Sequence, residues 1–123
     1  MSYIATAGNL AGIPELHFDN ETGRGYCYAR VICTERLKDE AGQWVDGPTT
    51  VYDVRLTGAA AESLAQTAQE SGNVRVEFSG SLRWSEFVHR DGAVETIGRV
   101  TADTFGVSLG SGQHVTVTKN SRR

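Results

Sequence analysis

Hydrophobic and polar residues alternate along most of this chain, a spacing that is typical of β-strands with one buried face. The alternation predicts four strands, at about residues 3–18, 26–37, 50–57 and 73–79. A long hairpin over residues 82–100, turning at Asp91-Gly92, then leads into a fifth strand that ends near Leu109. The segment HVTVT at 114–118 is a candidate for a short sixth strand.

The second predicted strand presents two chemically different faces. Its odd positions are small and apolar, which predicts a buried face made of Cys27, Ala29, Val31 and Cys33. Its even positions include aromatic and cationic residues, so that face is a candidate binding surface: Tyr26, Tyr28, Arg30 and Arg36. The two cysteines are too far apart to pair in a strand, since six residues span about 20 Å and a disulfide needs Cα atoms within about 7 Å. We expect two small buried thiols.

The first predicted strand contains Gly8, Gly12 and Pro14, which interrupt its alternation. Proline cannot donate to a sheet ladder, and glycine often marks a bulge or a bend. We therefore predict that this strand bends in its middle, as the first strand of a closed barrel must if it is to pair with two neighbours.

Residues 58–72 form the one segment with convincing helical spacing. Apolar residues recur there at intervals of three or four, at Ala60, Ala61, Leu64, Ala65 and Ala68, and Gly72 is a suitable C-terminal stop. A helix between the third and fourth of five antiparallel strands is the arrangement of the OB-fold, whose strand 2–3 face and loops bind oligonucleotides or oligosaccharides. We predict an all-β protein: a five-stranded OB-fold barrel with one helix between strands 3 and 4 and a long 4–5 hairpin.

Charge and composition narrow the possible functions. The chain has 12 Lys and Arg against 15 Asp and Glu, and this formal charge of −3 argues against a wholly basic surface. No apolar run is long enough to span a bilayer, and the N-terminus lacks a hydrophobic signal segment, so we expect a soluble, cytoplasmic protein. His17, His89 and His114 are scattered, which predicts no metal site. The sequence has no Gly-rich phosphate loop followed by Lys, and we expect no cofactor. GVSLG at 106–110 matches a nucleophile-elbow pattern, but no Asp or Glu follows Ser108, so we expect no enzyme.

Four segments resemble, in the same order, parts of the bacterial and phage single-stranded DNA-binding proteins. GNLAGIPELHF is similar to the opening of that family, and TTVYDVRLTGAAAESLAQ to its third strand and helix. GNVRVEFSGSLRWSEF resembles the following strand, and the DG turn with the later VTAD resembles the hairpin tip and closing strand. The resemblance covers residues 3–108. It implies an OB-fold, a homotetramer, and binding of single strands with little sequence preference and without enzymatic activity.

Some positions depart from the family pattern. The family stacks bases on a few aromatic side chains, and three of these positions hold other residues here: Leu37, Val51 and Thr57. Phe87 retains the aromatic of the long hairpin, and Arg83 matches a basic position, whereas Ser85 and Glu86 stand where the family often has cations. Asp53, on the outward face of the third strand, would repel a phosphate. Losing three stacking platforms costs several kcal/mol, at about 1–3 kcal/mol per base, unless other aromatics replace them.

These patterns predict a groove over strands 2 and 3, the 37–49 loop and the 82–100 hairpin, where arginines hold phosphates and aromatics stack on bases. The predicted DNA-binding residues are Tyr26, Tyr28, Arg30, Arg36, Trp44, Arg55, Arg83, Trp84, Phe87, Arg90 and Arg99. Trp84 has an alternative role, packing on a neighbouring subunit. The expected partners are single-stranded DNA, further copies of this chain, and replication or recombination proteins. We expect a nucleoid-associated location, or the host cytoplasm if the protein is phage-encoded.

A second hypothesis is that the barrel face has become a protein-interaction surface with weak nucleic-acid binding, as in a primosome-type accessory replication factor. The lost stacking positions and Asp53 favour it. We expect residues 1–110 to form the DNA-binding domain and 111–123 a C-terminal extension. The chain ends in TKNSRR, without the acidic tail that the resemblance implies. Either such a tail has been removed, or this is a variant that recruits partners differently or not at all.

Overall fold

The computed structural model describes residues 2–119. It contains six strands, one α-helix and one 3-10 turn. The strands are β1 (Ser2–Leu10), β2 (His17–Phe18), β3 (Gly25–Lys38), β4 (Trp44–Thr57), β5 (Arg75–Val88) and β6 (Val94–Val107). The helix α1 (Ala59–Ser71) joins β4 to β5, and the 3-10 turn (Leu109–Ser111) follows β6.

The five long strands close into a barrel. Their order is β1–β5–β6–β4–β3, and a further pairing between β1 and β3 completes the circle. The predicted OB-fold barrel, with its helix and long hairpin, is therefore confirmed. The prediction that all strands are antiparallel was wrong in one place, because β4 and β6 pair in parallel. These two strands are not joined by a hairpin, so local sequence does not determine their relative direction.

The predicted bend in the first strand is a complete interruption. β1 ends at Leu10, and β2 begins at His17, and both pair with β3 at different points along it. Gly8 marks the place where the barrel closes: it pairs with β5, and a Cβ at this position would lie only 2.6 Å from the carbonyl oxygen of Ile32 on β3. A side chain there would force the two strands apart.

The loop predicted between strands 2 and 3 is much shorter than expected. The sequence pattern placed Gly47 and Pro48 in a loop, but both lie in β4, and the two of them oppose the single residue Glu35 of β3. This is a β-bulge, a position that tolerates proline because the ladder is already interrupted. As a result β3 and β4 form a long arm that extends beyond the barrel.

Alternate residues of the strands fill the barrel, as the pattern predicted. Cys27, Ala29 and Val31 are fully buried, together with Val54, Val76 and Phe78. Cys33 is only partly buried, and both cysteines are free thiols. Burial raises the pKa of each of them. Helix α1 covers the barrel with Ala61, Leu64, Ala65 and Ala68, whereas Ala60, which was predicted on this stripe, is exposed.

β5 and β6 form a second long arm, with its turn at Asp91-Gly92 as predicted. The register of this pair shifts between Ser79 and Gly80, so that Asp103 of β6 is left without a partner on β5. This extra residue on β6 is a β-bulge opposite Ser79 and Gly80. The carboxylate of Asp103 accepts a 2.8 Å hydrogen bond from the Tyr3 hydroxyl, which ties β1 to this bulge.

The segment after β6 contains no strand between residues 112 and 119, so the short sixth strand expected at 114–118 is not formed in the described chain. Gln113 nevertheless fastens this segment to the barrel. Its side-chain amide accepts from the Arg75 amide at 2.7 Å and donates to the carbonyl oxygens of Arg75 and Ser108 at 2.9 and 2.8 Å. Residues 120–123, including the basic end of the chain, lie outside the described residues. Within residues 2–119, no helix is long and hydrophobic enough to cross a lipid bilayer.

Replacing Gln113 with alanine should release the segment that follows β6. We expect the Arg75 amide to exchange its hydrogen about tenfold faster, because a protein hydrogen bond contributes about 0.5–1.5 kcal/mol. Native-state hydrogen exchange measures this directly. Gln66→Ala, which removes an exposed hydrogen bond within α1, is the matched control and should leave the Arg75 amide unchanged. Unchanged exchange in Gln113→Ala would show that the segment is not held by this amide.

Candidate nucleic-acid interface

The outward surface of four neighbouring strands carries a group of arginines. Strand register defines it: Arg30 pairs with Asp53 across β3 and β4, Asp53 with Arg99 across β4 and β6, and Arg99 with Arg83 across β6 and β5. Directly paired residues project from the same side of a sheet. We call this surface the arginine face; it comprises Arg30, Arg55, Arg83, Arg99, Asp53, and the neighbouring Tyr28, Ser81 and Thr101.

Asp53 lies in the middle of the arginine face and contacts two of its cations. One carboxylate oxygen is 3.6 Å from Arg30 Nε and the other is 4.0 Å from Arg99 Nη1. The side chain of Asp53 is 19% exposed, whereas those of Arg30 and Arg99 are about half exposed. The arginine face therefore carries four guanidinium groups and one partly buried carboxylate. This surface is cationic although the chain as a whole is acidic.

An aromatic row borders the arginine face at the β2 end. The rings of His17 and Tyr26 stack with centroids 5.4 Å apart, and Tyr26 meets Tyr28 edge-on at 6.2 Å. The Arg55 guanidinium lies over Tyr26, 5.5 Å from the ring centroid. This cation–π contact holds both groups on the surface. His17 was missed by sequence reasoning; its pairing with Tyr26 across β2 and β3 was the relevant signal.

Acidic residues mark the limit of the cationic surface beyond this row. An open cavity of about 450 Å³ is lined there by Phe18, Asp19, Glu21, Tyr26 and Arg55, among others. The backbone N–H groups of Thr22 and Glu21 donate to the Asp19 carboxylate and lower its pKa. Asp19 thus stays ionised, and a polyanion that follows the arginine face meets like charge at this end.

Trp44 lies on the same side of the β3–β4 arm as the arginine face. It pairs with Lys38, whose ammonium nitrogen is 5.2 Å from the indole centroid, and Arg36 pairs with Asp46 at 3.4 Å. The bulge at Gly47 and Pro48 causes this placement. Without the extra residue, the even-numbered Trp44 would share the side of the buried Tyr52 and Val54. Lys38 is a cation on this arm that was not among the residues predicted from the sequence.

The β5–β6 arm carries Phe87 and Arg90, two further predicted residues. Phe87 is exposed on the same strand face as Arg83, and its ring lies 5.0 Å from that of His89. His89 in turn approaches Glu95 on β6 at 3.5 Å. Arg90 lies in the exposed turn that ends the arm, away from the paired arginines.

Trp84 projects from the other side of the β5–β6 arm. Its ring lies 5.9 Å from that of Tyr52, which in turn contacts Phe78 in the core at 5.7 Å. Trp84 therefore continues a row of interior aromatics out of the barrel, with half of its surface exposed. Burial raises the pKa of Tyr52, as expected of a phenol at the end of the core. Of the eleven predicted residues, only Trp84 faces away from the arginine face, and only Arg90 lies beyond the strands.

The three positions that lack the family aromatics do not all lie on the same side of the sheet. Leu37 projects from the opposite side of the β3–β4 arm and lies against Gly47, where a Cβ would be 2.7 Å from it. Val51 and Thr57 are half-buried on the outward side of β4. The outward surface of β4 therefore offers no stacking ring between Trp44 and Tyr28 of the adjacent strand. In the described part of the chain, no cluster of His, Cys, Asp and Glu has the arrangement of a metal site.

Comparisons with known proteins agree with this architecture. The model of the single-strand binding protein family matches residues 1–108. A single-stranded DNA-binding protein of Mycobacterium tuberculosis is 33% identical over 107 residues, which cover 86% of this chain and 63% of the relative. The corresponding protein of Corynebacterium glutamicum is 31% identical and covered to 46%. The chain thus spans less than two thirds of the length of these curated relatives.

Solved structures show the same fold. The small single-stranded DNA-binding protein of Streptomyces coelicolor superposes with a TM-score of 0.71 at 22% identity, covering 90% of this chain and 97% of that one. A deletion mutant of the Thermus aquaticus single-stranded DNA-binding protein gives a TM-score of 0.63 at 19% identity, covering 92% and 53%. Because the family model matches residues 1–108, which include every strand of the barrel, this chain belongs to the single-strand binding protein family.

Proposed function

We propose that this protein binds single-stranded DNA and catalyses no reaction. We further propose that residues 1–110 are the binding domain and that residues 111–123 are a C-terminal extension. The observation that carries the proposal is the arginine face, a cationic surface on an acidic chain that is bordered by exposed aromatic rings. Membership of the family agrees with it, since the relatives are single-stranded DNA-binding proteins.

The proposed mechanism divides the work between two kinds of side chain. Arg30, Arg55, Arg83 and Arg99 would contact successive phosphates, releasing counterions and making the affinity fall with salt. Tyr26 and Tyr28 at one end, and Trp44 and Phe87 on the two arms, would stack on bases, which every base tolerates because each has a π-face. Arg36 and Arg90 would contribute along the arms.

We further propose that the protein acts as an oligomer in DNA replication, recombination or repair. Both long arms stand out from the barrel with exposed apolar residues, including Leu37, Val45, Val88 and Val94. Exposed apolar groups of this kind are typical of surfaces that meet another protein. Further copies of the chain, as a homodimer or homotetramer, are the first candidates, and proteins of replication or recombination the second.

Tryptophan fluorescence during titration tests the binding proposal. Oligo-dT and a duplex of equal length are added at low and at moderate salt. Quenching by the single strand alone, weakened by salt, supports the proposed function. Unchanged fluorescence with both ligands at low salt, together with no shift in a native gel, contradicts it.

The two tryptophans should respond differently to oligo-dT. Trp44 lies on the same side of the β3–β4 arm as the arginine face. Trp44→Phe should therefore remove most of the quenching, and Trp44→Ala should weaken binding about tenfold, within the 1–3 kcal/mol of a lost stacking platform. Trp84→Phe is the matched control, because Trp84 packs on Tyr52 on the opposite side. Quenching that disappears in Trp84→Phe and persists in Trp44→Phe would reverse this assignment.

A protein-interaction role, as in an accessory replication factor, is the second candidate. Leu37, Val51 and Thr57 favour it, because none of them offers a ring for stacking. This second candidate predicts that the arginine face is dispensable for function. Binding of oligo-dT that is unaffected by alanine at Arg30, Arg55 and Phe87 would support this candidate over the first.

A further inference from the structure

Within the arginine face lies a cavity of about 270 Å³ that combines opposite charges and an aromatic ring. Tyr28, Arg55, Arg83 and Arg99 contribute to its wall, together with Asp53. Among the described residues that line it, Asp53 is the single acid. A carboxylate in this position repels a phosphate, so the cavity is better suited to a base of the single strand than to its backbone.

The Asp53 carboxylate is held in place but retains capacity to bind. Its distances of 3.6 Å to Arg30 and 4.0 Å to Arg99 are those of ion pairs and exceed the 2.7–3.2 Å of a hydrogen bond. Arg99 is positioned from its other side, where its Nε donates to the Ser85 hydroxyl at 3.2 Å. An ionised carboxylate only accepts hydrogen bonds. The cavity therefore presents a fixed acceptor between donors.

The Watson–Crick edges of the bases differ in how they match this arrangement. Cytosine presents an amino donor beside acceptor atoms, and guanine presents two adjacent N–H donors beside a carbonyl. Thymine places carbonyl oxygens on both sides of a single N–H. A carboxylate accepts from the cytosine amino group, as Asp and Glu do in base readout. It repels the carbonyl oxygens of thymine.

We propose that Asp53 selects the base that enters this cavity, favouring bases with an amino group on the Watson–Crick edge over thymine and uracil. This inference rests on the proposed function, since it assigns a preference to the same surface. Tyr28 supplies a ring beside the base, and Arg99, which lines the same cavity, donates to the carbonyl oxygen of cytosine or guanine. The protein then reads one base in a strand that it otherwise binds through phosphates and stacking.

Affinities for oligo-dC and oligo-dT of equal length test the inference, at mildly alkaline pH, where dC strands stay unpaired. Both are pyrimidines, so differences in stacking are small. We expect Asp53→Asn to shift the dC/dT affinity ratio toward dT by about fivefold relative to wild type, because an amide also donates to the thymine carbonyls. Asp53→Ala should give an intermediate ratio.

Asp46→Asn is the matched control. Asp46 also lies on β4 and pairs with an arginine, but its side chain is 72% exposed and lies outside the cavity. Both substitutions remove one negative charge, so both should raise overall affinity, and only Asp53→Asn should change the base ratio. If Asp53→Asn strengthens binding to dC and dT by the same factor, the carboxylate only positions the arginines and the inference is wrong. If wild type binds neither oligonucleotide, the proposed function itself fails.

Discussion

The triple variant Arg30→Ala, Arg55→Ala, Phe87→Ala should bind oligo-dT about a thousandfold more weakly than wild type. Each lost charged contact contributes at least about 1.5 kcal/mol and the lost stack about 1 kcal/mol. Their sum of about 4 kcal/mol corresponds to that factor in the dissociation constant. Fluorescence titration at low salt measures it, because the wild-type complex is then tight enough for the weaker variant to be followed.

The salt dependence separates lost phosphate contacts from general damage. Each phosphate contact on a single strand contributes about 0.7 to the slope of log K against log salt, so losing two arginines should lower the slope by about 1.4. Lys119→Ala, on the segment after β6, removes a charge that is not part of the arginine face and should leave affinity within about twofold. A triple variant that keeps wild-type affinity and slope would remove the DNA proposal and favour a protein partner.

Gly80→Ala should destabilise the barrel by about 3 kcal/mol, the upper range for overpacking. A Cβ on Gly80 would lie only 2.1 Å from the carbonyl oxygen of Thr101, a backbone atom of β6. The two strands cannot separate there without breaking the ladder on either side of the bulge. Urea unfolding at fixed protein concentration gives the change in unfolding free energy, with concentration held constant because association adds to stability.

Gly106→Ala is the matched control for this substitution. It lies on the same β5–β6 pair, and no described atom beyond its chain neighbours is within 4 Å of its ideal Cβ position. We expect its unfolding free energy to stay within about 0.5 kcal/mol of wild type. Equal stability of Gly80→Ala and Gly106→Ala would mean that β5 and β6 lie farther apart at the bulge than in this structure.

Residues in the barrel strands were largely predictable from local pattern. The alternation at Cys27, Ala29 and Val31 identified one buried face, and the same parity placed Tyr28 and Arg30 on the outside. Helix α1 followed from its apolar spacing and its glycine stop. Such features depend on neighbours one to four residues away, and the side-chain directions of strands and helices are regular over that distance.

Positions that depend on a bulge or an arm were predicted less well. Trp44 was expected in a loop, because Gly47 and Pro48 usually end a strand, yet a bulge there keeps it on β4 and turns it to the arginine face. Trp84 follows simple alternation on its arm and lies over Tyr52, on the side opposite Phe87, and a DNA contact for it stays a prediction. The extra residue of a bulge changes which face every following side chain occupies, and sequence alternation alone does not show it.

The sequence by itself determined the strand faces, the helix, the OB-fold and the family to which the chain belongs. Only the tertiary structure decided that Arg30, Asp53, Arg83 and Arg99 form one cluster. The cluster depends on the parallel pairing of β4 with β6. Those strands are separated by a helix and a third strand, and their register is set by closure of the whole barrel. The sequence suggested that Asp53 repels a phosphate. Because the barrel closes in this way, Asp53 lies between two arginines in a cavity.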